Sequence, residues 1–238
     1  MQYKTYKKED PYSYALGAFP AMEVLKQKPE LIQEMILSER FTDLENLEAS
    51  LASKGINYIV SDKQLARIAN KGNIYMAAVF QKRLPLARDN NHIVLVNPGD
   101  MGNMGTIMRT MAAFSYRDLI LIGGGCDPYH PKTVRSSMGA LFYLHMSSFP
   151  TIQDYLNAFP QRDLYPFMLS ETATSLRKLH PEGVHSLIFG NEGSGLPAEF
   201  AEIGKAVMIP QSHAVDSLNL TIAAGIAMYY FTEGEVLD

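Results

Sequence analysis

The sequence predicts an α/β protein: a parallel sheet covered by helices on both faces, with a smaller α/β unit ahead of it. Three observations carry this. From His92 onward, short apolar runs alternate with stretches of helical periodicity, and strands that read as continuous apolar runs mark a sheet buried on both faces. Upstream of residue 81 the same alternation occurs on a smaller scale. Between the two lies a polar, proline-containing stretch without periodicity, residues 81–91, which reads as a linker. The expected domains are therefore 1–85 and 90–238, within what 238 residues with 47% apolar and 19% charged content can support.

Each element has its own signal. Residues 21–28 form a short helix that ends at Pro29, and 33–37 are strand-like. Leu44, Leu47 and Leu51 fall at helical spacing, with Gly55 as the C-terminal cap. A β-rich run over 56–60 follows, then Ser61 and Asp62 cap a helix through Ile68, and 74–80 is another strand. Beyond the linker, 92–96 is a continuous apolar strand and 97–105 a turn-rich loop with three glycines. Residues 106–114 are helical, with Ile107, Met111 and Phe114 inward, and 119–122 is the next strand. Further helices are expected at 134–139, 152–159 and 197–203, and further strands at 144–147, 165–169, 187–189 and 206–209. The last strand stops at Pro210, which has no N–H to give a ladder. A polar loop (Gln211, Ser212, His213, Asp216, Ser217) then leads into a nearly uncharged helix over 218–231. That helix is apolar almost all round, so it is either an ordinary core helix or one packed on its own sheet and on a second subunit.

Composition excludes several classes. No run of about eighteen apolar residues is present, so no membrane span is expected. The first twenty residues lack the apolar core of a signal peptide, and the single cysteine, Cys126, fits a reducing cytoplasm. No Cys/His spacing suggests a metal site. The net charge of −4 counts against a nucleic-acid partner, but it is unevenly placed. Between 54 and 88 stand Lys54, Lys63, Arg67, Lys71, Lys82, Arg83 and Arg88 against Asp62 alone, which is either a solvated face or a phosphate-binding patch.

The glycine loops are not the usual nucleotide fingerprints. Gly99, Gly102 and Gly105 do not make G-x-G-x-x-G, the following strand ends in Gly123-Gly124-Gly125 with no acid at its end to grip a ribose, and no P-loop occurs, which removes a dinucleotide oxidoreductase. Ligands of open parallel sheets bind beyond the carboxyl ends of strands, where the loops after residues 96, 189 and 209 would converge. Arg109 stands out on the helix after the first of these loops, placed to reach over it, although a lone arginine is more often a surface residue.

Three segments then coincide with a known pattern. Asn103-Met-Gly-Thr-Ile-Met-Arg109-Thr, Leu187-Ile-Phe-Gly-Asn-Glu192-Gly-Ser-Gly-Leu and Ile209-Pro-Gln with Ser217-Leu-Asn219-Leu resemble, in order and spacing, the motifs of the SpoU (TrmH-like) RNA ribose methyltransferases of the SPOUT superfamily. The stretch from Val134 to Phe142 is similar to an extra segment these enzymes carry between the first two motifs. Residues 15–80 resemble, more weakly, the ribosomal-protein-like RNA-binding domain found ahead of many members. Two positions depart from the family: Leu220 stands where valine is usual, and Lys71-Gly72-Asn73 where His-Gln-Gly is common.

The resemblance implies a C-terminal segment threaded through a trefoil knot, a homodimer, and S-adenosylmethionine held by the knot loops. It implies RNA 2′-O-methylation, of rRNA more than of tRNA. Arg109 would activate the ribose hydroxyl, and Asn103, Glu192, Ser217 and Asn219 would orient it and the ribose. Backbone groups at Leu169, Gly190, Ile209 and Leu218 would hold the cofactor, and Lys71, Lys82, Arg83 and Arg135 would contact RNA. A guanidinium with a pKa above about 12 is a poor proton acceptor, so Arg109 is expected to act by charge, stabilising the forming alkoxide, and not as a base. A catalytically silent RNA-binding homologue is the competing class. Retention of Arg109, Glu192, Ser217 and Asn219 together weighs against it.

Overall fold

The computed structural model describes residues 3–69, 74–170, 172–181, 183–212 and 214–232. Its first elements in chain order are β1 (Tyr12–Leu16), α1 (Ala18–Gln27), β2 (Ile32–Leu37), α2 (Leu44–Ser53), β3 (Tyr58–Val60), α3 (Asp62–Ala69) and β4 (Met76–Gln81). There follow β5 (His92–Val96), α4 (Met101–Ala113), β6 (Asp118–Ile122), α5 (Pro131–Ser136), β7 (His145–Phe149) and α6 (Ile152–Ala158). The last are β8 (Asp163–Pro166), β9 (Thr174–Ser175), β10 (His185–Phe189), β11 (Val207–Met208) and α7 (Leu220–Phe231). They fall into two units, Met1–Leu84 with Asp127–Tyr143, and Pro85–Cys126 with Leu144–Asp238.

The first unit is built on a four-stranded sheet of order β1-β4-β2-β3, with β4 antiparallel to both neighbours and β2 parallel to β3. Tyr14, Leu16, Ile36, Leu65, Ile68, Ala77 and Val79 form a buried cluster on it. Gly55 takes a φ of +66° just past α2, the left-handed geometry expected of that cap. Residues 127–143 count with this unit, where the sequence reading placed everything after residue 90 in the second domain. The reason is local packing: α5 lies against β1, the Ser13 hydroxyl donates to the Tyr129 carbonyl (2.5 Å), and Phe142 meets Phe80 edge-on at 5.0 Å.

The second unit carries a five-stranded parallel sheet of order β7-β6-β5-β10-β8, as the continuous apolar runs require. The chain runs outward from β5 through β6 to β7, then returns so that β10 lies beside β5. The loops that leave β5 and β10 are therefore neighbours at a reversal of strand order. One face of the sheet is covered around Val94, Ile120, Tyr155, Ile188 and Phe200, and α7 packs on α4 and β10.

Several expectations needed correction. The helix expected from 106 begins at Met101, because the Asp100 side chain accepts the Asn103 N–H (2.8 Å) and caps it. Phe114, expected inward, is only half-buried. Residues 197–203 make a 3-10 turn at Ala198–Ala201 and no α-helix. The strand expected at 165–169 closes at Pro166, while Phe167 and Met168 bond instead to the Ile188 and Val207 carbonyls through their N–H groups, both at 2.9 Å. β1 was not anticipated at all.

Candidate active site

β10 ends at Phe189 and the chain turns at Gly190, where a Cβ would lie 2.1 Å from the Gly195 carbonyl carbon. No side chain fits there. Asn191 and Gly195 exchange backbone hydrogen bonds (3.2 and 2.9 Å) that close the loop. The Asn191 carboxamide then ties this loop to the one after β5: its oxygen accepts Gly193 N–H (2.9 Å) and its nitrogen donates to the Asn97 carbonyl (2.9 Å).

Glu192 makes the second tie. One carboxylate oxygen accepts Gly99 N–H (2.8 Å), and the other accepts Asp100 N–H (3.1 Å) and the Asn103 side-chain amide (3.2 Å). Partial burial pushes the Glu192 carboxyl up, but hydrogen bonds from its own N–H, Gly99, Asn103 and Asp100 outweigh it and leave it below the usual carboxylate range. Glu192 is thus a fixed anion at the start of α4.

The loops after β10 and β11, with 167–169, enclose a cleft of about 420 Å³ in the second unit. Leu169, Gly190, Ile209 and Leu218 all line it, and so do Glu192 and Ser217. Phe167 and Phe189 stack on one another in its wall, 4.8 Å between centroids and 20° from parallel. Asn191, Gln211 and Asp216 also line it and were not named from sequence as site residues. Their signal, a polar run between a strand stop and a helix start, was present without showing which side chains turn inward.

The other site expectations sort differently. Asn103 reaches the cleft through Glu192. Asn219 is not a lining residue; its side-chain oxygen accepts the Thr221 N–H (2.8 Å) and hydroxyl (2.6 Å), which caps α7. Arg109 is exposed on α4, six residues beyond Asn103 and so about 9 Å along the helix axis. In the first unit Arg83 and Arg135 are exposed, whereas the Lys82 ammonium donates to the Lys8 carbonyl (2.6 Å) and the Tyr6 hydroxyl (3.1 Å). Lys71, with Gly72 and Asn73, lies outside the described residues, as does His213.

The sequence profile of the SpoU rRNA Methylase family matches residues 90–229, more than half of the chain. The chain belongs to this family. Its relatives include an uncharacterised tRNA/rRNA methyltransferase of Synechocystis sp., 33% identical over 182 residues that cover 73% of this chain and 66% of that protein. The 23S rRNA (guanosine(2553)-2′-O)-methyltransferase RlmP of Bacillus subtilis is 26% identical, over 87% of this chain and 83% of its own length. The fold is similar to that of an AdoMet-bound rRNA methyltransferase from Sinorhizobium meliloti, with a TM-score of 0.82 over 95% of this chain and 89% of that one at 24% identity. Among the described residues no helix is long and apolar enough to cross a membrane, and no three His, Cys, Asp or Glu side chains gather as a metal site would need.

Proposed function

We propose that this SpoU-family chain transfers the methyl group of S-adenosylmethionine to a ribose 2′-hydroxyl in structured RNA, with rRNA as the substrate class. The observation that carries the reading is the cleft, where loops beyond the sheet's carboxyl ends meet around an ionised Glu192. Its size lies in the range of small-ligand pockets, about 300–1,000 Å³. Phe167 and Leu218 offer apolar surface to a flat purine, while Glu192 and Asp216 suit a ligand that carries positive charge. S-adenosylmethionine supplies an electrophilic methyl on a cationic sulfur. The RlmP relative, named for 2′-O-methylation of 23S rRNA, supports the choice of acceptor.

In this reading Leu169, Gly190, Ile209 and Leu218 bind through the backbone, and Ser217 with Asn219 shapes the start of α7. Glu192 holds Asn103 and the first turn of α4 in register, which fixes the helix that carries Arg109. The guanidinium of Arg109 lowers the pKa of the ribose hydroxyl by charge and stabilises the forming alkoxide. The chain segment through β10, β11 and α7 is read as threading a trefoil knot. Ile222, Ile226 and Tyr229 leave a large apolar surface exposed on α7 (54%, 39% and 61%), which a second copy would cover in a homodimer. Lys71, Lys82, Arg83 and Arg135 would hold RNA phosphates, and the protein would work in the cytoplasm.

Calorimetry of the full chain with S-adenosylmethionine, without RNA, tests the cofactor half of this reading. Saturable one-site binding is expected, and a folded protein that releases or absorbs no heat contradicts it.

A further inference from the structure

Tyr75 stands just ahead of β4, where β2 and β3 also finish. Its carbonyl accepts the Ser38 N–H (2.9 Å), and the Ser61 N–H reaches the Leu37 carbonyl (2.8 Å), so three chain segments lie side by side at this end of the first unit's sheet. Past the buried Ser38 the chain turns: Phe41 N–H returns to the Ser38 carbonyl (3.0 Å) and Arg40 N–H to the Ser38 hydroxyl (3.1 Å). This turn lays the Arg40 guanidinium over the Tyr75 ring, its carbon 5.0 Å from the centroid.

A surface pair of this kind is common and often only decorates a sheet end. Two features set this one apart. Every residue from Met76 to Phe80 is buried, yet Tyr75 keeps 43% of its surface and Arg40 is exposed, so two flat π groups face outward on anchored backbone. Among the described residues, the exposed charges along the chain nearby, Glu39, Arg40, Asp43 and Lys63, are of mixed sign, which makes a poor phosphate patch. Flat surfaces without net positive charge fit the face of a base better than a backbone.

We propose that Arg40 and Tyr75 form a platform on which an unpaired base of the RNA substrate stacks. Unstacked bases are held on aromatic rings and guanidinium planes, and the contact tolerates any base because each has a π face. The platform would add substrate affinity beside the phosphate contacts, and it rests on the reading of this chain as an RNA methyltransferase.

The chain contains no tryptophan, so Tyr75→Trp places a single indole at the platform. The full chain carrying it is titrated with an oligoadenylate of about ten nucleotides, within the span of single-strand sites. Saturable quenching of the indole is expected. In the otherwise unmodified chain, Tyr75→Ala should weaken oligoadenylate binding about five- to hundredfold, the size of one lost stack, with Tyr75→Phe close to normal and Arg40→Lys weakened despite its charge. The log–log salt slope of Tyr75→Ala should stay unchanged, where loss of a phosphate contact lowers it by about one. Circular dichroism checks that each variant is folded. Unaltered emission while the unmodified chain retains rRNA on a filter overturns the platform and leaves the enzymatic reading standing. An unmodified chain that retains no RNA overturns both.

Discussion

Gly190 is the residue on which the cleft turns. The added methyl of Gly190→Ala would meet the Gly195 and Leu196 backbone at 2.1–2.4 Å, so the loop after β10 must open. S-adenosylmethionine binding by calorimetry should fall below detection in that variant while far-ultraviolet circular dichroism stays near normal; retained affinity would mean that the loop does not shape the site. Arg109 should behave in the opposite way. Exposed and outside the cleft lining, it can be removed without disturbing the pocket, so Arg109→Ala should keep cofactor affinity and lower the methylation rate by roughly a hundredfold or more, the scale of one lost transition-state charge partner. Near-normal turnover would move the activating role to Glu192 or Ser217.

At the scale of elements, α7 shows two different faces. Ala224, Ala227, Met228 and Phe231 are buried within the chain, whereas Ile222, Ile226 and Tyr229 are exposed. If the second face is covered by another copy, Ile226→Asp buries an unpaired charge there and costs several kcal/mol, on the order of 3–5. Light scattering should then read a dimer for the unmodified chain and a monomer for Ile226→Asp; an unmodified monomer contradicts the dimer. This helix was legible because its residues are apolar all round, but which stripe faced inward was not. The parallel sheet was legible for a similar reason, since β5, β6 and β10 are buried throughout and carry apolar runs at 93–96, 119–122 and 187–189. β1 escaped notice because its pairing partner, β4, lies far along the chain and Tyr-Ser-Tyr-Ala-Leu carries little signal alone. Two glycines, Gly102 and Gly105, hid the first turns of α4, where one side-chain cap from Asp100 outweighs their poor helix propensity. The attachment of 127–143 to the first unit depends on long-range packing that no local period reports.

Across the molecule, the end of the sheet away from the cleft holds a buried polar network with its own pH dependence. Arg162 has only donors, and its Nη1 lies 2.6 Å from His92 Nδ1, so Nδ1 accepts and Nε2 carries the proton to the Arg88 carbonyl (2.7 Å). Burial, with the nearby Arg162 charge, holds His92 at about 4 against an ordinary 6.5, although the Arg88 carbonyl opposes this. A depressed histidine binds fewer protons folded than unfolded, so its contribution is complete above pH 6.5 and lost as pH falls toward 4. At about 1.36 kcal/mol per unit, stability should drop by about 2 kcal/mol between pH 6.5 and 5, above the carboxylate range, with buried His185 adding in the same direction. Urea midpoints across that window check this, and a flat midpoint refutes it. The central claim concerns the whole molecule as an enzyme, and mapping the methyl group tests it most directly. The full chain is incubated with methyl-labelled S-adenosylmethionine and separate unmodified rRNA and tRNA pools, and the labelled RNA is digested to locate the methyl. The account predicts label on a ribose 2′-oxygen in rRNA; label on a base, or none from a folded protein that binds the cofactor, would contradict it.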